Sequence, residues 1–291
     1  MLHRQNDKLA AAFVILSGLM FALMATSIKL VSDDVETEVI VFFRNLFGFL
    51  AILPFVFRAG GDVLKTKIPH WHIMRSLAGL GAMYCFFFAI GHIPLSNAVL
   101  LSYTTPLFAP IMAFFLLKEH ISKQLMMPIL VGFIGVTFLL NPDFQTFSWM
   151  ALVALLSGVF AAFAMTTIRR MSVSEPTLRI VFYYGLICTM ASALPMFFID
   201  VWPSSKNLLI LVAVGCFASL GQMCITRGYG LASVSKVGPF MYSTVVFASV
   251  LAWVKWQELP STLSFVGILL VIVAGSLALL SQKTEANNEK H

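Results

Sequence analysis

The feature that most constrains this chain is a succession of apolar runs, each about long enough to cross a bilayer and separated only by short loops. They cover residues 9–31, 38–57, 72–90, 95–117, 125–140, 147–168, 178–199, 207–226, 234–254 and 262–280. A spanning helix needs about 20 predominantly apolar residues. No water is available inside a bilayer to satisfy backbone polar groups, so such runs fold as helices. The expected fold class is an all-α polytopic membrane protein with ten transmembrane helices. Composition agrees, since 59% of the 291 residues are hydrophobic and 11% charged, against about 25% charged in an ordinary soluble domain. The fifth run is the shortest and requires snorkelling flanks or a thinned bilayer. The first is too long for the core of a cleaved signal and no A-x-A site follows it, so it is read as a helix.

An even number of crossings puts both termini on one side. With that side inside, all of the 19 lysines and arginines except Lys29, Arg44, Lys206 and Lys255 fall in or beside cytoplasmic loops. This positive-inside bias places both termini in the cytoplasm and the chain in the cytoplasmic (inner) membrane. The net charge of +6 then faces lipid headgroups, and nucleic acid is not an expected partner. Cys85, Cys188, Cys216 and Cys224 lie within apolar runs without paired ligand spacing, so neither a disulfide framework nor a metal site is expected. No cofactor is implied.

The chain resembles itself at a spacing of about 140 residues. Leu16-Ser17-Gly18 matches Leu156-Ser157-Gly158, and from the third helix onward Gly91/Gly230, Ser96/Ser235, Tyr103/Tyr242, Thr105/Thr244, Glu119/Glu258 and Ser122/Ser261 coincide without a gap. The expected domains are a first five-helix repeat over 1–141, a second over 142–281, and a polar cytoplasmic tail over 282–291 expected to be disordered. Because five is odd, the second half enters from the opposite side. Inverted halves of this kind let one site open alternately to either face.

The motifs then take on a pattern. Phe43-Arg44-Asn45 lies in the second helix, and Arg75-x-x-x-Gly79 opens the third. The stretch from His92-Ile93-Pro94-Leu95-Ser96-Asn97-Ala98 through Pro106-Leu107-Phe108 leads to Lys118-Glu119-His120-Ile121-Ser122. On these residues the chain resembles the drug/metabolite transporter superfamily, in its ten-helix EamA-type branch, over essentially its whole length. The first half is most similar to uptake carriers of the S-adenosylmethionine type. The resemblance implies transport of small metabolites. Lys118 stands where the family usually has glycine, which puts local packing there in question.

Arg44 sits about six residues into its span, roughly 9 Å along the axis. A guanidinium at that depth either snorkels to Asp33, Asp34 or Glu36, or anchors a substrate carboxylate or phosphate. Arg75 is a second candidate anchor for an anionic group. Tyr84, Tyr103, Gln222 and Tyr242 fall near the middle of their spans and complete the expected substrate site, although a membrane tyrosine is as readily a packing residue bonded to a carbonyl. Pro106 and Pro110 interrupt the fourth helix, and Gly238 with Pro239 the ninth, where they are expected to bend it around the site. Gly132, Gly135, Gly267 and Gly275 are expected to allow close helix contact. Glu119 and Glu258, at helix C-termini where the dipole disfavours them, are assigned structural roles at the starts of the following helices near Ser122 and Ser261. Every Asp, Glu and His maps to a loop or a helix end, so no carboxylate relay crosses the midplane.

No H-E-x-x-H, G-x-S-x-G or phosphate loop is present, which disfavours an enzyme. Inverted halves disfavour a passive channel. The expected function is a secondary transporter of a small zwitterionic or anionic metabolite, S-adenosylmethionine-like or amino-acid-like and with a possible aromatic part. An exporter of drugs or toxic metabolites is the alternative. Its partners are that substrate and the bilayer, and it acts as a monomer or homodimer.

Overall fold

A computed structural model describes residues 6–90, 92, 95–119, 123–140, 149–199, 202–257 and 262–288. Its elements are α1 Asp7–Lys29, α2 Thr37–Ala59, α3 Pro69–Ile90, α4 Leu95–Ser102, α5 Thr105–Leu117 and α6 Lys123–Leu140. There follow α7 Trp149–Met171, α8 Thr177–Met196, α9 Ser205–Leu231, the single turn α10 Val234–Val237, α11 Ser243–Trp256 and α12 Thr262–Asn288. Short 3-10 segments cover Gly61–Leu64 and Gly238–Tyr242, and there is no strand among the described residues. Eight stretches are long and apolar enough to cross a membrane. The two others hold the shorter apolar stretches Gln124–Phe138 and Phe265–Ala278.

The helix ends follow from local chemistry. The Asn6 side chain accepts the Leu9 N–H at 3.0 Å to start α1, and Ser204 Oγ accepts the Asn207 N–H at 3.3 Å to start α9, each satisfying a donor that the helix leaves orphaned. Helices α5 and α11 stop at Lys118 and Gln257, the two non-glycine residues with positive φ among those described. They occupy the same place in the two halves, and a Cβ in that left-handed conformation costs about 1–2 kcal/mol. Glycine avoids this cost, so the departure at Lys118 is one of backbone strain. Lys118→Gly is expected to raise stability by about 0.5–1 kcal/mol once the extra freedom of the unfolded chain is discounted. The measurement is the thermal midpoint in detergent, where a fall would show that the Lys118 side chain makes a compensating contact.

Two of the expected spans are broken. The fourth crossing is α4 and α5 with a turn at Tyr103–Thr104, and the ninth is α10, the 3-10 turn and α11. The tail differs from expectation as well. Instead of becoming disordered after Ser281, α12 continues to Asn288, because Gln282, Lys283, Glu285 and Ala286 are good helix formers.

Packing exchanges elements between the halves. Helix α1 lies along α9 and α11, and correspondingly α7 lies along α3 and the α4–α5 pair, while α6 pairs with α12 and α2 packs on α8 and α9. Buried positions are rich in alanine, among them Ala10, Ala22, Ala109, Ala162, Ala274 and Ala278, whereas Phe55, Phe57, Phe115 and Leu209 point outward. Small residues inside and large apolar ones outside suit helices that meet closely within lipid. A methyl group at Gly132 would strike the Tyr242 ring at 2.4 Å, and one at Gly135 the Gly267 carbonyl at 2.9 Å. The close contact expected of these glycines is present.

Candidate functional site

Helices α2, α3, α8 and α9 bring the chain's buried arginines together. Arg75 is 2% exposed and Arg44 8%. The Arg75 Nη2 donates to Gln222 Oε1 at 3.0 Å, and its guanidinium lies over the Tyr184 ring, 4.2 Å from the centroid. One turn along α3, a methyl group on Gly79 would sit 2.5 Å from Arg75 Nη1 and 3.0 Å from the Tyr184 ring. The Arg75-x-x-x-Gly79 spacing thus has a physical reason: the missing side chain is the space the guanidinium occupies.

Arg44 Nη1 donates to Asn45 Oδ1 at 2.7 Å, Asn45 Nδ2 donates to Ser192 Oγ at 3.2 Å, and Ser192 Oγ donates to the Cys188 carbonyl at 2.7 Å. Arg44, Asn45, Tyr184, Ser219 and Gln222 line a cleft of about 280 Å³, its open mouth included. The two guanidiniums lie within electrostatic reach of each other. No Asp or Glu lines the cleft. Arg75 Nε and Nη1 are buried and make no hydrogen bond of ordinary geometry among the described residues, with the Tyr184 side chain within bonding reach of the guanidinium. Snorkelling by Arg44 to the outer acids is not what the structure shows, and Asp34 instead accepts from Asn207 Nδ2 at 3.4 Å. A buried charge without a partner costs several kcal/mol, and a second like charge adds repulsion.

A second cavity, of about 390 Å³ with its open mouth included, lies along α9 on the side of Ile225, three residues from the cleft residue Gln222. Ser17, Phe21, Ser102, Tyr103, Thr105 and Thr244 line it, and the Tyr103 hydroxyl bonds the Thr244 side chain. The cavity lies at the two helix breaks, which explains how polar backbone is tolerated there. Pro106 has no N–H for the Ser102 carbonyl, and the Thr105 hydroxyl donates to it at 2.9 Å instead. Ser243 Oγ donates likewise to the Phe240 carbonyl at 2.7 Å. The repeated Leu-Ser-Gly motifs hold these breaks. A methyl group on Gly18 would meet Ser243 Oγ at 2.6 Å, and one on Gly158 would meet Thr104 Oγ1 at 2.5 Å. Each half's glycine therefore receives the broken helix of the other. The breaks also touch, since a methyl group on Gly238 would lie 3.5 Å from Pro106 Cβ.

Residues 8–141, and again residues 148–280, match the EamA-like transporter family. The chain belongs to this family. It is 32% identical over 270 residues to the pseudopaline exporter CntI of Pseudomonas aeruginosa, covering 92% of this chain and 94% of that one. It is 27% identical to an S-adenosylmethionine uptake transporter of Rickettsia prowazekii, over 98% and 99% of the two chains. A crystal structure with a TM-score of 0.82 covers 97% of this chain and 99% of the other at 22% identity, which establishes the fold. This EamA-like protein is accordingly a multi-pass membrane transporter of small molecules, as the resemblance implied.

The structure brings Arg44, Arg75 and Gln222 together and sets Tyr103 in the second cavity. Tyr84 lies beside the cleft without lining it, packed with Leu80, Tyr184 and Cys188. Tyr242 does not join its repeat mate. It is fully buried against α6 and its hydroxyl donates to the Ile129 carbonyl at 3.4 Å. Pro110 lies within unbroken α5, and the bend forms on the N-terminal side of Pro106. The Glu119 carboxylate accepts from Arg169 Nε at 3.2 Å, and Arg169 also donates to the Gly230 carbonyl at 3.1 Å. A cation on a neighbouring helix supplies what the unfavourable helix dipole demands. Its expected partner Ser122, and Glu258 with Ser261, lie outside the described residues. Sequence reading missed Tyr184, Ser192 and Ser219, and the one available signal was Asn45 beside Arg44.

Proposed function

We propose that this transporter is a secondary carrier that moves a small organic anion, or a zwitterion held by its carboxylate, across the cytoplasmic membrane by alternating access. The observation that carries this reading is the buried Arg44 guanidinium in a cleft lined by no carboxylate, with the buried Arg75 guanidinium behind Gln222 and Tyr184. An incoming carboxylate supplies the missing countercharge through charge-assisted bonds to Arg44 and to the Arg75 guanidinium. A cationic sulfonium or ammonium finds no acid there. The second cavity takes the uncharged remainder of the substrate, stacked on Phe21 or Tyr103 and bonded by the surrounding hydroxyls. The two broken helices touch at Gly238 and Pro106, so movement of one is passed to the other, the behaviour expected of inverted halves with both termini in the cytoplasm. Export is the second reading of direction, favoured by the 32% identity to an exporter. The same cleft serves either direction.

Counterflow in proteoliposomes tests this, with labelled amino acids and di- and tricarboxylates as probes. Unlabelled carboxylate loaded inside is expected to drive transient uphill accumulation of label, and Arg44→Gln to cut the initial rate about tenfold or more, as loss of one charge-assisted contact implies. Flux without overshoot would identify a channel, and unchanged kinetics in Arg44→Gln would remove Arg44 from the site.

A further inference from the structure

The buried arginine, histidine and carboxylate side chains among the described residues are Arg44, Arg75, His72 and Glu175. Arg44 lines the cleft and Arg75 lies behind it, bonded to the lining residue Gln222, and the other two lie at the end of the bundle where α3 and α8 begin. His72 is 1% exposed, its ring lies 4.5 Å from that of Tyr183, and neither ring nitrogen has a partner. Glu175, in the connection between α7 and α8, accepts from the Thr66 hydroxyl at 2.7 Å and pairs with Arg179. Arg179 Nε also donates to the Val63 carbonyl, and the Tyr183 hydroxyl donates to the Leu64 carbonyl at 2.7 Å. Residues 61–68, which lead from α2 to α3, are thereby strapped to the α7–α8 corner, with Glu175 and Arg179 as the buckle.

The charges acting on His72 are Glu175 from the connection and Arg179 from α8. Helix α7 contributes Arg170, which lies over the neighbouring Trp71 ring at 6.0 Å. Helix α4 contains no titratable residue, and on α3 itself His70 is exposed while Arg75 follows one turn later. With the strap closed, an imidazolium at position 72 would be stripped of water with no acceptor on either ring nitrogen, the Glu175 carboxylate being held by Thr66 and Arg179. With it released, that imidazolium would have Glu175 and water.

We propose that His72 is a proton-binding site that operates this strap. A proton from the aqueous phase, taken up on a ring nitrogen, draws the Glu175 carboxylate away from Arg179 and Thr66 and frees residues 61–68. The released strap binds more protons than the closed one, so acidification opens it. A histidine that titrates normally when released and stays neutral when closed shifts the equilibrium about tenfold between pH 7.5 and 5.5. His72 stands three residues from Arg75, about 4.5 Å along the helix. A proton bound there therefore acts next to the proposed anion site and links transport to pH without any carboxylate at the midplane.

Hydrogen–deuterium exchange of the full chain in detergent, corrected for the intrinsic pH dependence of exchange, tests this without any substrate. Peptides covering 61–68 are expected to exchange about tenfold faster at pH 5.5 than the closed-strap rate at pH 7.5 allows, with those of α6 unchanged. His72→Phe, which keeps a ring on Tyr183, is expected to stay closed at both values. His72→Gln gives the same test if the phenylalanine variant does not fold. A flat wild-type response, or one that persists in these variants, overturns the proposal, and loss of the anion reading alone does not.

Discussion

Arg75→Met is expected to bind a carboxylate ligand at least about 30-fold more weakly than wild type, and yet to melt at a higher temperature when no ligand is present. Both effects come from one charge. Arg75 is almost fully buried, donates to Gln222, stacks on Tyr184 and has no carboxylate beside it among the described residues. Removing one partner of a desolvated, hydrogen-bonded charge pair typically costs about 2–5 kcal/mol of binding. In the free protein the same guanidinium has polar and aromatic neighbours but no carboxylate partner, and an apolar side chain of similar length relieves a desolvation cost of about 1–3 kcal/mol. Methionine fills the channel over Gly79 without a charge. The pair of measurements is a ligand titration and a melting curve on each protein. A residue that is merely structural would lower the melting midpoint on substitution, so a less stable Arg75→Met with wild-type affinity would count against the cleft as a binding site.

Gly79→Ala is expected to weaken the same binding about 10- to 100-fold, although the substitution adds one methyl group on a helix. Alanine is the better helix former there by about 1 kcal/mol, so helix propensity predicts a harmless change. Geometry predicts otherwise. The new methyl lies 2.5 Å from Arg75 Nη1 and 3.0 Å from the Tyr184 ring, so the guanidinium has to leave the bond to Gln222 or the stack on Tyr184. A displacement of about 1 Å in a preorganised charge is enough for losses of this size. The double variant Gly79→Ala/Arg75→Met separates this from general damage. If the glycine acts only by making room for Arg75, the second substitution adds nothing to the first, whereas additive losses would mean that Gly79 matters for another reason.

These two residues also show what was legible in the sequence. Arg75-x-x-x-Gly79 was readable as a motif at the start of the third helix, and Arg44 and Gln222 as polar residues too deep to be interfacial, because depth along a helix follows from counting at a fixed rise. Rotation about the helix axis does not follow in that way. Tyr103 and Tyr242 are repeat mates at equal depth, yet one faces the second cavity and the other packs on Gly132, because the breaks at Tyr103–Thr104 and Gly238–Tyr242 differ in form, a two-residue turn against a 3-10 segment. Tyr184 and Ser192 carry no local signature at all. Their part in the cleft arises from how α8 meets α2 and α3, and pairing between distant helices leaves little trace in one sequence. His72 and Glu175 were correctly placed at helix ends, but such ends are ordinarily wet. Here the strap over 61–68 and the α7–α8 corner cover them, and that covering is a tertiary fact. Glu119 was placed correctly at a helix C-terminus, and its pairing with Arg169 of α7 is a tertiary fact of the same kind.

The central claim is that the substrate carries the countercharge to Arg44 in the cleft and to Arg75 behind it. Its most direct test is thermal stabilisation of the purified protein by matched ligands, each carboxylate beside its methyl ester, with S-adenosylmethionine and quaternary amines as cationic members of the panel. At 100 times its dissociation constant a ligand adds about 2.7 kcal/mol. The expected result is that at least one carboxylate raises the melting midpoint with a saturable dose response, that its ester does not, and that the shift disappears in Arg75→Met. Equal stabilisation by an ester or by a cation, retained in Arg75→Met, would contradict the account.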